Sequence, residues 1–473
     1  MKNKLFLSLF ILLVLVSAER LVAQSAKPNI VFILSDDHTA SFLGTYGNPD
    51  LKTPNIDKLA KDGIQFNRAF TTAPQCVPSR AAIMTGRSQV EIGMTRFSAP
   101  LPADIKTYPE YLKESGYYTG IFGRNFHLDG RRINKETEEV FVKYNLETFA
   151  NRVDYLRIAT TLPEMHNQYL EFLNQVPKGK PFFLQLAFSD PHRVFDAKQH
   201  EPDPTKIKVP AAFPDTKLLR EDLAGYYGEI QRLDSSVGKV LEELTKRGLD
   251  KNTLVVFIGD NGGALIRGKG TLHRIGIHVP LIARFPGVIK PGQVCDELVS
   301  GIDIAPTFLS VAGVAVPKEM LGKNLSPAFQ AKNYQGHEYV YSARSAHGSG
   351  LPTSTDHFDL GRTVFNKKYK LIYNALWQLP YTPVDFKTQP FWLELQQFHE
   401  DGRLEEKWDK LLFSKTRPLF ELYDIENDPE EFNNLSGKTE HKAVEEELKM
   451  KLFEWMVLNK DYLPLPIDQT LGR

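Results

Sequence analysis

Short apolar runs alternate with longer amphipathic segments along the first two-thirds of the chain. Residues 223 to 246 carry apolar side chains at helical spacing, which predicts a long helix. Four runs are rich in β-branched and aromatic residues, as is typical of buried strands: Asn29 to Leu34, Thr119 to Phe122, Phe182 to Phe188 and Thr253 to Ile258. Strands that alternate with helices predict a layered α/β fold with a mostly parallel sheet.

The pattern changes in the last third of the chain. Thr363 to Tyr373 and Phe420 to Ile425 read as antiparallel strands, a polar and aromatic stretch separates them, and Ala443 to Leu458 reads as a final helix. A chain of 473 residues exceeds the usual size of one domain. We therefore predict a large α/β domain over residues 25–361 and a smaller C-terminal α+β subdomain over residues 362–473.

The N-terminus has the pattern of a signal peptide. Lys2 and Lys4 precede the apolar run from Leu5 to Val16, and either Ser17-Ala18 or Ala23 can precede a cleavage site. The alternative is a membrane anchor, although the run is short for a bilayer span. We predict a signal peptide over residues 1–24 and an exported protein, located in a bacterial periplasm.

Composition narrows the classes of partner. The 58 basic residues balance 58 acidic ones, which argues against a general nucleic-acid coat. After signal cleavage no segment has the pattern of a membrane span, and an exported protein of this size needs no disulfide framework. The two cysteines, Cys76 and Cys295, can form at most one bridge.

Two polar clusters follow predicted strands directly. Asp36 and Asp37 come after the first strand, and Asp260 and Asn261 come after the strand that begins at Thr253. Ligands gather at the carboxyl ends of strands in α/β sheets, and oxygen-only ligands suit Ca²⁺ or Mg²⁺. Taken singly, either cluster could be an ordinary turn. Their shared position at strand ends favours a metal site.

The segment CVPSRAAIMTGR places Cys76 at the start of a predicted helix, with Pro78 in its first turn. Backbone N–H groups there favour an anion, either a thiolate or a bound sulfate or phosphate. Arg80 lies one turn on and can reach the same anion with a forked donor. The alternative for a lone cysteine is a buried, inert thiol.

The string from Cys76 to Arg80, continuing through Thr85 to Arg87, resembles the C-x-P-S-R motif of type I sulfatases. The resemblance covers nearly the whole chain, from PNIVFILSDD to LYDIENDPEEFNNL. It implies an alkaline-phosphatase-like fold, in which a mixed, mostly parallel sheet is flanked by helices. It also implies a maturation enzyme that converts Cys76 to formylglycine (3-oxoalanine). A hydroxyl of the formylglycine hydrate would then attack sulfur.

The resemblance assigns further roles residue by residue. It implies a Ca²⁺ ion bound by Asp36, Asp37, Asp260, Asn261 and the modified residue 76. It implies catalytic roles for Cys76, Arg80, Arg124, His127, His192 and Lys269. Arg80 would steady the formylglycine and the metal site, Lys269 would contact the sulfate, and His192 would lie near the leaving group as a candidate general acid. The alternative for a single histidine is a structural or surface imidazole.

One region departs from the family pattern. Sulfatases of this type usually have Gly-Lys-x-His after a strand, whereas this chain reads Gly-Arg-Asn-Phe-His over residues 123–127. Arg124 stands in place of the lysine and can hold sulfate through two N–H groups. His127 comes one residue late, and we expect it to help break down the sulfate intermediate.

Within the family the chain is most similar to the heparan N-sulfatase (sulfamidase) branch. Residues Phe188 to Arg193 and the aromatic insert from Leu376 to Trp392 carry this similarity, and the ELYDIENDPEEFNNL segment supports it weakly. The implied substrate is N-sulfoglucosamine from heparin or heparan sulfate. Residues suggested to contact the sugar are Arg193, His347 and His357. The two histidines lie in a Gly- and Ser-rich stretch, which is commonly a surface loop.

Three other functions remain open. The first is a carbohydrate O-sulfatase acting at another glycan position. The second is a phosphomonoester or phosphonate hydrolase, although such a site would carry histidine metal ligands, and the Asp-Asp and Asp-Asn clusters have none. The third is a glycan-binding relative whose cysteine is never matured. The expected partners are a sulfated saccharide and the sulfatase-maturing enzyme.

Overall fold

The protein is described by a computed structural model that covers residues 27–96, 100–124, 128, 139, 143, 149, 151–158, 161–331, 333–347 and 354–463. The predicted signal peptide at residues 1–24 and the candidate His127 lie outside these described residues. Within the described part, no helix has both the length and the apolar character that a membrane span requires.

Among the described residues, ten strands belong to the first part of the chain: β1 (Asn29–Ser35), β2 (Ile64–Phe66), β3 (Ala69–Phe70), β4 (Tyr118–Gly123), β5 (Tyr155–Arg157), β6 (Phe182–Ala187), β7 (Thr253–Gly259), β8 (Leu281–Arg284), β9 (Gln293–Cys295) and β10 (Val299–Ser300). Eight of them form a central sheet in the order β5–β4–β6–β1–β7–β8–β2–β9, and β3 pairs with β10. The block from β5 to β7 is parallel, and β8 runs antiparallel to both its neighbours. The predicted mixed, mostly parallel sheet is confirmed.

Helices cover both faces of this sheet. The helices of the described residues are α1 (Pro54–Lys61), α2 (Cys76–Thr85), α3 (Tyr108–Glu114), α4 (Leu162–Gln175), α5 (Lys217–Lys246), α6 (Arg274–Ile277), α7 (Ile304–Val311), α8 (Ser326–Phe329), α9 (Pro390–Glu400), α10 (Glu406–Phe413) and α11 (Lys442–Leu458). All of them except α11 contribute side chains to the two cores that flank this sheet. The side chains of β1 divide between two cores: Val31 and Ile33 pack with α1, α4 and α5, while Phe32 and its alternate neighbours pack with α2, α3 and α7. A strand buried on both faces reads as a continuous apolar run.

The long helix α5 begins six residues before the predicted start at Leu223. The side chain of Thr216 precedes it and accepts a hydrogen bond from the backbone N–H of Leu219. Such a cap satisfies one of the free N–H groups of the first turn, so it fixes the helix start independently of the apolar pattern.

A second, antiparallel sheet contains β11 (Val340–Ala346), β12 (Phe358–Phe365), β13 (Tyr369–Asn374) and β14 (Phe420–Asp424), with α11 packed against it. The segment Thr363 to Tyr373, read as a strand from its sequence, spans the hairpin between β12 and β13. The Asn366 side chain accepts from the N–H groups of Lys368 and Tyr369, which turns the chain. The predicted domain boundary at residue 362 falls inside β12, so this sheet begins earlier than expected.

The aromatic insert between β13 and β14 packs against the first part of the chain. Phe386, Phe391 and Trp392 are buried in the same apolar core as α5. Their rings contact one another, with centroids 5.5 Å apart for Phe386 and Phe391 and 5.7 Å apart for Phe386 and Trp392. The insert is therefore held beside the carboxyl end of the central sheet.

Candidate active site

The carboxyl ends of β1 and β7 bring the two predicted polar clusters together. Ser35 and Gly259 are partners in the parallel ladder, so Asp36 and Asp37 leave β1 beside Asp260. The backbone N–H of Asp37 donates to Asp260 Oδ1 across 3.0 Å. These aspartates are fully buried, and Asp37 has the left-handed φ of 61° that aspartate tolerates better than most residues.

The N-terminus of α2 completes the cluster. Cys76 is the first residue of the helix, and its Sγ lies 3.2 Å from Asp36 Oδ1 and 3.8 Å from Asp37 Oδ1. Asp36, Asp37, Cys76 and Asp260 each present a possible ligand atom within 4.8 Å of the others. Every residue of α2 is buried, which fixes Cys76 inside the protein.

The Cys76 thiol is protonated in this setting. Burial, with the carboxylate of Asp36 as a further contribution, raises the pKa of the thiol well above its usual value. From the sequence, a Cys76 thiolate stabilised by the helix N-terminus was one of the alternatives. In the structure, lost solvation and the negative charge of Asp36 instead favour the protonated thiol. Cys76 and Cys295 are both free, so the possible disulfide does not form.

The oxygen atoms of the cluster suit a divalent cation. Asn261 donates through Nδ2 to Asp37 Oδ1 across 2.8 Å, while its buried Oδ1 has no hydrogen-bond partner. Burial raises the pKa of Asp37 to about 6 and that of Asp260 to about 7, and the charge of Asp36 contributes to both shifts. An unpartnered amide oxygen among mutually repelling carboxylates is what an oxygen-liganded cation would satisfy.

Two arginines approach the acidic cluster from different elements. Arg80, on α2, donates through Nε to Asp260 Oδ2 across 2.8 Å, and its Nη2 lies 3.2 Å from Asp36 Oδ2. Arg124, which follows β4, places Nη1 2.8 Å from the same Asp36 oxygen. Burial opposes the charge of Arg80, but Asp260 and Asp36 outweigh it and raise the pKa of the guanidinium. Arg124, which stands where the family motif has lysine in the sequence, therefore contacts the acidic cluster.

Lys269 lies on the other side of the cluster. Its ammonium is 2.9 Å from Asp37 Oδ2 and 2.8 Å from Asp385 Oδ2. Burial opposes the charge, but Asp37 and Asp385 raise the pKa of Lys269 well above its usual value, so the ammonium is permanent. His347 Nε2 lies 3.6 Å from Asp385 Oδ1 and thus belongs to the same group.

His192 faces the same carboxylates. Its Nε2 lies 3.7 Å from Asp37 Oδ2 and 3.9 Å from Asp385 Oδ2. Its Nδ1 is hydrogen-bonded to the carbonyl of Arg193. Burial, followed by the charge of Lys269, lowers the pKa of His192 to about 3. The imidazole is therefore neutral here, with Nδ1 as the donor and Nε2 as an acceptor.

The structure does not bring the other two suggested sugar contacts into this group. Arg193 directs its fork onto the carboxylate of Asp222, with Nη1 2.7 Å from Oδ1, and also donates to the carbonyl of Ala264. His357 is half-exposed and lies beside Asp356, with 3.6 Å between Nε2 and Oδ2. A cavity of about 440 Å³ is lined by Arg124, His192 and also Arg193, and this size is in the range of small-molecule sites.

Sequence reasoning missed Asp385, Gln75 and Tyr226. Gln75 precedes Cys76, and its Nε2 lies 3.5 Å from His347 Nδ1. Tyr226 donates to the carbonyl of Asp37 across 2.7 Å. The insert that contains Asp385 stood out for its aromatic residues, but its polar residues showed no pattern that distinguishes this aspartate. The adjacent motif could have drawn attention to Gln75, whereas Tyr226 reads simply as a core residue of α5.

The chain is similar to known proteins over most of its length. The "Sulfatase" family model matches residues 28–314, and the "N-sulphoglucosamine sulphohydrolase, C-terminal" model matches residues 268–406. An ulvan-active sulfatase of Formosa agariphila is 30% identical over 96% of this chain and 86% of its own length. Human N-sulphoglucosamine sulphohydrolase is 28% identical over 91% of this chain and 90% of its own length.

The fold has a close counterpart among solved structures. A protein solved in complex with its substrate D-glucosamine-2-N,6-O-disulfate superposes with a TM-score of 0.69. It is 20% identical, and the match covers 93% of this chain and 100% of that one. At this level of identity the likeness supports the alkaline-phosphatase-like architecture predicted from the sequence.

Proposed function

The chain belongs to the sulfatase family, and from this premise we propose that it removes the N-sulfate of glucosamine in saccharides derived from heparin or heparan sulfate. We propose that Cys76 acts after its conversion to formylglycine by a maturing enzyme. The chain is a sulfuric ester hydrolase of the type that acts on sulfated glycans.

The position of Cys76 carries the proposal. The residue begins α2 inside the CVPSR motif and lies between the carboxylates of Asp36 and Asp37. A formylglycine hydrate at this position would supply a hydroxyl nucleophile beside a cation. Arg80 is already bound to Asp260 and lies close to Asp36, so it fixes the helix that carries the nucleophile.

Ca²⁺ is the cation we propose for the oxygen cluster. It would be held by Asp36, Asp37, Asp260 and Asn261, and when bound it lowers the pKa of a coordinated hydroxyl. Four carboxylates in this site face three permanent cations: Asp36, Asp37, Asp260 and Asp385 against Arg80, Arg124 and Lys269. A divalent cation would therefore leave a net positive site, which suits a singly charged sulfate group.

We assign binding of the sulfate group and contact with the leaving group to three further side chains. Arg124 and Lys269 are two cations at opposite sides of the cluster, where they can hold the sulfate oxygens. His192 faces the opening and is the group we assign to the leaving-group side. Substrate choice is supported by the N-sulphoglucosamine sulphohydrolase C-terminal match, which includes Lys269, His347 and Asp385.

A second candidate is a carbohydrate O-sulfatase that acts on ulvan. The Formosa agariphila relative, an ulvan-active sulfatase, is 30% identical over nearly the whole chain and so favours this alternative. For both candidates we propose export from the cell, on the basis of the signal-peptide pattern between Lys2 and Ala23.

Two measurements test the proposal. Mass spectrometry of the Cys76 peptide should show an aldehyde in place of the thiol. Sulfate release should then be compared for N-sulfoglucosamine, 6-O-sulfated N-acetylglucosamine and a sulfated ulvan oligosaccharide, with Cys76→Ala as the inactive control. Active protein with an unmodified thiol overturns the nucleophile, and release only from O-sulfated substrates overturns the substrate.

A further inference from the structure

Asp385 is the most accessible charged group around Lys269. Its side chain is 31% exposed, compared with 1% for both Lys269 and Asp37 and 21% for His192. Asp385 Oδ2 lies 2.8 Å from the Lys269 ammonium, so a sulfate held by Lys269 would lie close to Asp385. A carboxylate repels sulfate, so the substrate atom next to Asp385 has to be a hydrogen-bond donor or a positive charge.

The insert holds this carboxylate in place. Val384 and Phe386 on either side are buried, and the carboxylate between them lies 2.8 Å from the Lys269 ammonium. Asp385 itself has a left-handed φ of 68°, a conformation that aspartate tolerates better than most residues. The carboxylate is therefore held in a fixed position. It comes from a segment outside the central sheet, and it is suited to selecting substrates.

His192 offers a second acceptor beside Asp385. Because its Nδ1 faces the Arg193 carbonyl, the hydrogen of a neutral ring lies on that nitrogen, which leaves Nε2 as the acceptor. Nε2 lies 3.9 Å from Asp385 Oδ2, so the two acceptors stand side by side. We propose that Asp385, together with His192, recognises the bridging N–H of a sulfamate and thereby selects N-sulfated over O-sulfated sugars.

The chemistry of the two substrates explains the selection. The bridging nitrogen of a sulfamate carries a hydrogen that can be donated, whereas the bridging oxygen of a sulfate ester carries none. Hydrolysis breaks the S–N bond and forms an S–O bond: R–NH–SO₃⁻ + H₂O gives R–NH₃⁺ + SO₄²⁻. The leaving nitrogen gains both protons of the water and becomes an ammonium. A carboxylate at this position stabilises that charge. This inference rests on the proposed function and specifies how it is achieved.

The test compares Asp385→Ala with the wild-type enzyme on N-sulfoglucosamine and on 6-O-sulfated N-acetylglucosamine. Asp385→Ala also removes one of the two carboxylates that contact the Lys269 ammonium, so kcat/KM should fall for both substrates. It should fall further for the sulfamate, by about 10- to 100-fold, because only that substrate loses a charge-assisted hydrogen bond. Inhibition by glucosamine should weaken relative to inhibition by glucose, because only glucosamine carries the ammonium.

Asp356→Asn is the matched control. Asp356 also pairs with a lysine and a histidine, Lys387 and His357, but makes no contact with Lys269. It should leave the ratio of the two kcat/KM values unchanged. Equal losses on both substrates in Asp385→Ala, with an unchanged ratio of glucosamine to glucose inhibition, would mean that Asp385 only holds Lys269 and would overturn the inference. If the wild-type enzyme releases no sulfate from N-sulfoglucosamine, the proposed function itself fails, and the inference fails with it.

Discussion

Arg80 and Asp260 form an ion pair that joins the helix carrying Cys76 to the end of β7. The Nε–Oδ2 distance is 2.8 Å, and neither side chain is more than 1% exposed. The same guanidinium reaches Asp36 at the end of β1. One side chain therefore ties together three elements that are far apart in sequence, and it compensates two carboxylates that have no access to solvent.

Loss of this arginine should destabilise the protein strongly. Arg80→Met leaves Asp260 buried without its cation and Asp36 paired with Arg124 alone, and breaking a buried pair in this way typically costs about 3–5 kcal/mol. Urea unfolding of the metal-free protein measures the change. The exposed pair of Arg403 and Asp401 provides the control, since Arg403→Ala should cost no more than about 1 kcal/mol. Equal effects of the two substitutions would show that the buried pair is not a structural link.

Calcium should stabilise the protein through Asn261. At a free concentration 100-fold above its Kd, a ligand that binds only the folded state adds about 2.7 kcal/mol. We expect the melting temperature to rise when Ca²⁺ is added to chelator-treated protein. Asn261→Ala should weaken this response, because the buried Oδ1 that lacks a partner is lost.

The control for that experiment is Asn459→Ala. Asn459 also has a buried Oδ1 without a partner, but it lies at the end of α11, and its amide donates to the carbonyl of Trp455. This variant should retain the full calcium response. A response lost equally in both variants would mean that Asn261 acts through packing and not as a ligand.

Acid should destabilise the fold in part through His278. Burial, followed by the charge of Arg274, lowers the pKa of this histidine to about 3, and its Nε2 donates to the carbonyl of Asn67. The unfolded chain takes up the proton near pH 6.5, whereas the folded protein does not. Stability from this residue is therefore present above pH 6.5 and is lost as the pH falls towards 3.

His278→Gln should flatten this dependence. Glutamine keeps an amide donor for the Asn67 carbonyl but does not titrate, so the slope of unfolding free energy against pH should decrease by about one proton between pH 6 and pH 4. Urea unfolding across this range gives the slope. An unchanged slope would mean that His278 is protonated in the folded state as readily as in the unfolded chain.

Many of the strands and helices could be predicted from the sequence because they depend on the local pattern of apolar residues. The apolar run of β1 and the spacing of α5 reflect burial on each element, and the aspartates that follow β1 and β7 meet because parallel neighbouring strands end together. The hairpin at Asn366 was not separated into two strands, because one polar side chain turns the chain within an otherwise strand-like pattern.

The outer part of the site could not be predicted in the same way. Asp385 reaches Lys269 only because the insert packs against the core that contains α5. Arg193 lies in the motif that suggested a sugar contact, but Asp222, on α5, takes up its guanidinium. Both outcomes depend on long-range packing, which a single sequence does not display.

Gly270 provides the sharpest test of this packing. It follows Lys269, has a φ of 80°, and a Cβ on it would lie 2.4 Å from Cγ2 of Val384, the residue before Asp385. Gly270→Ala should therefore push Lys269 and Asp385 apart. We expect a loss of stability of about 1–3 kcal/mol from overpacking, in addition to backbone strain, and a clear fall in kcat/KM for sulfate release.

Gly248→Ala is the control that separates the effect of overpacking from that of backbone strain. Gly248 has a similar φ of 69°, but a Cβ there would meet nothing within 4 Å. This variant should show only the backbone cost of about 1–2 kcal/mol and should keep its kcat/KM. Urea unfolding measures the loss of stability in both variants, and sulfate release measures their kcat/KM. If Gly270→Ala behaves like Gly248→Ala in both assays, the contact between the Lys269 loop and the insert does not control the site. A larger loss of activity in Gly270→Ala would mean that the position of Asp385 is set by this single close approach.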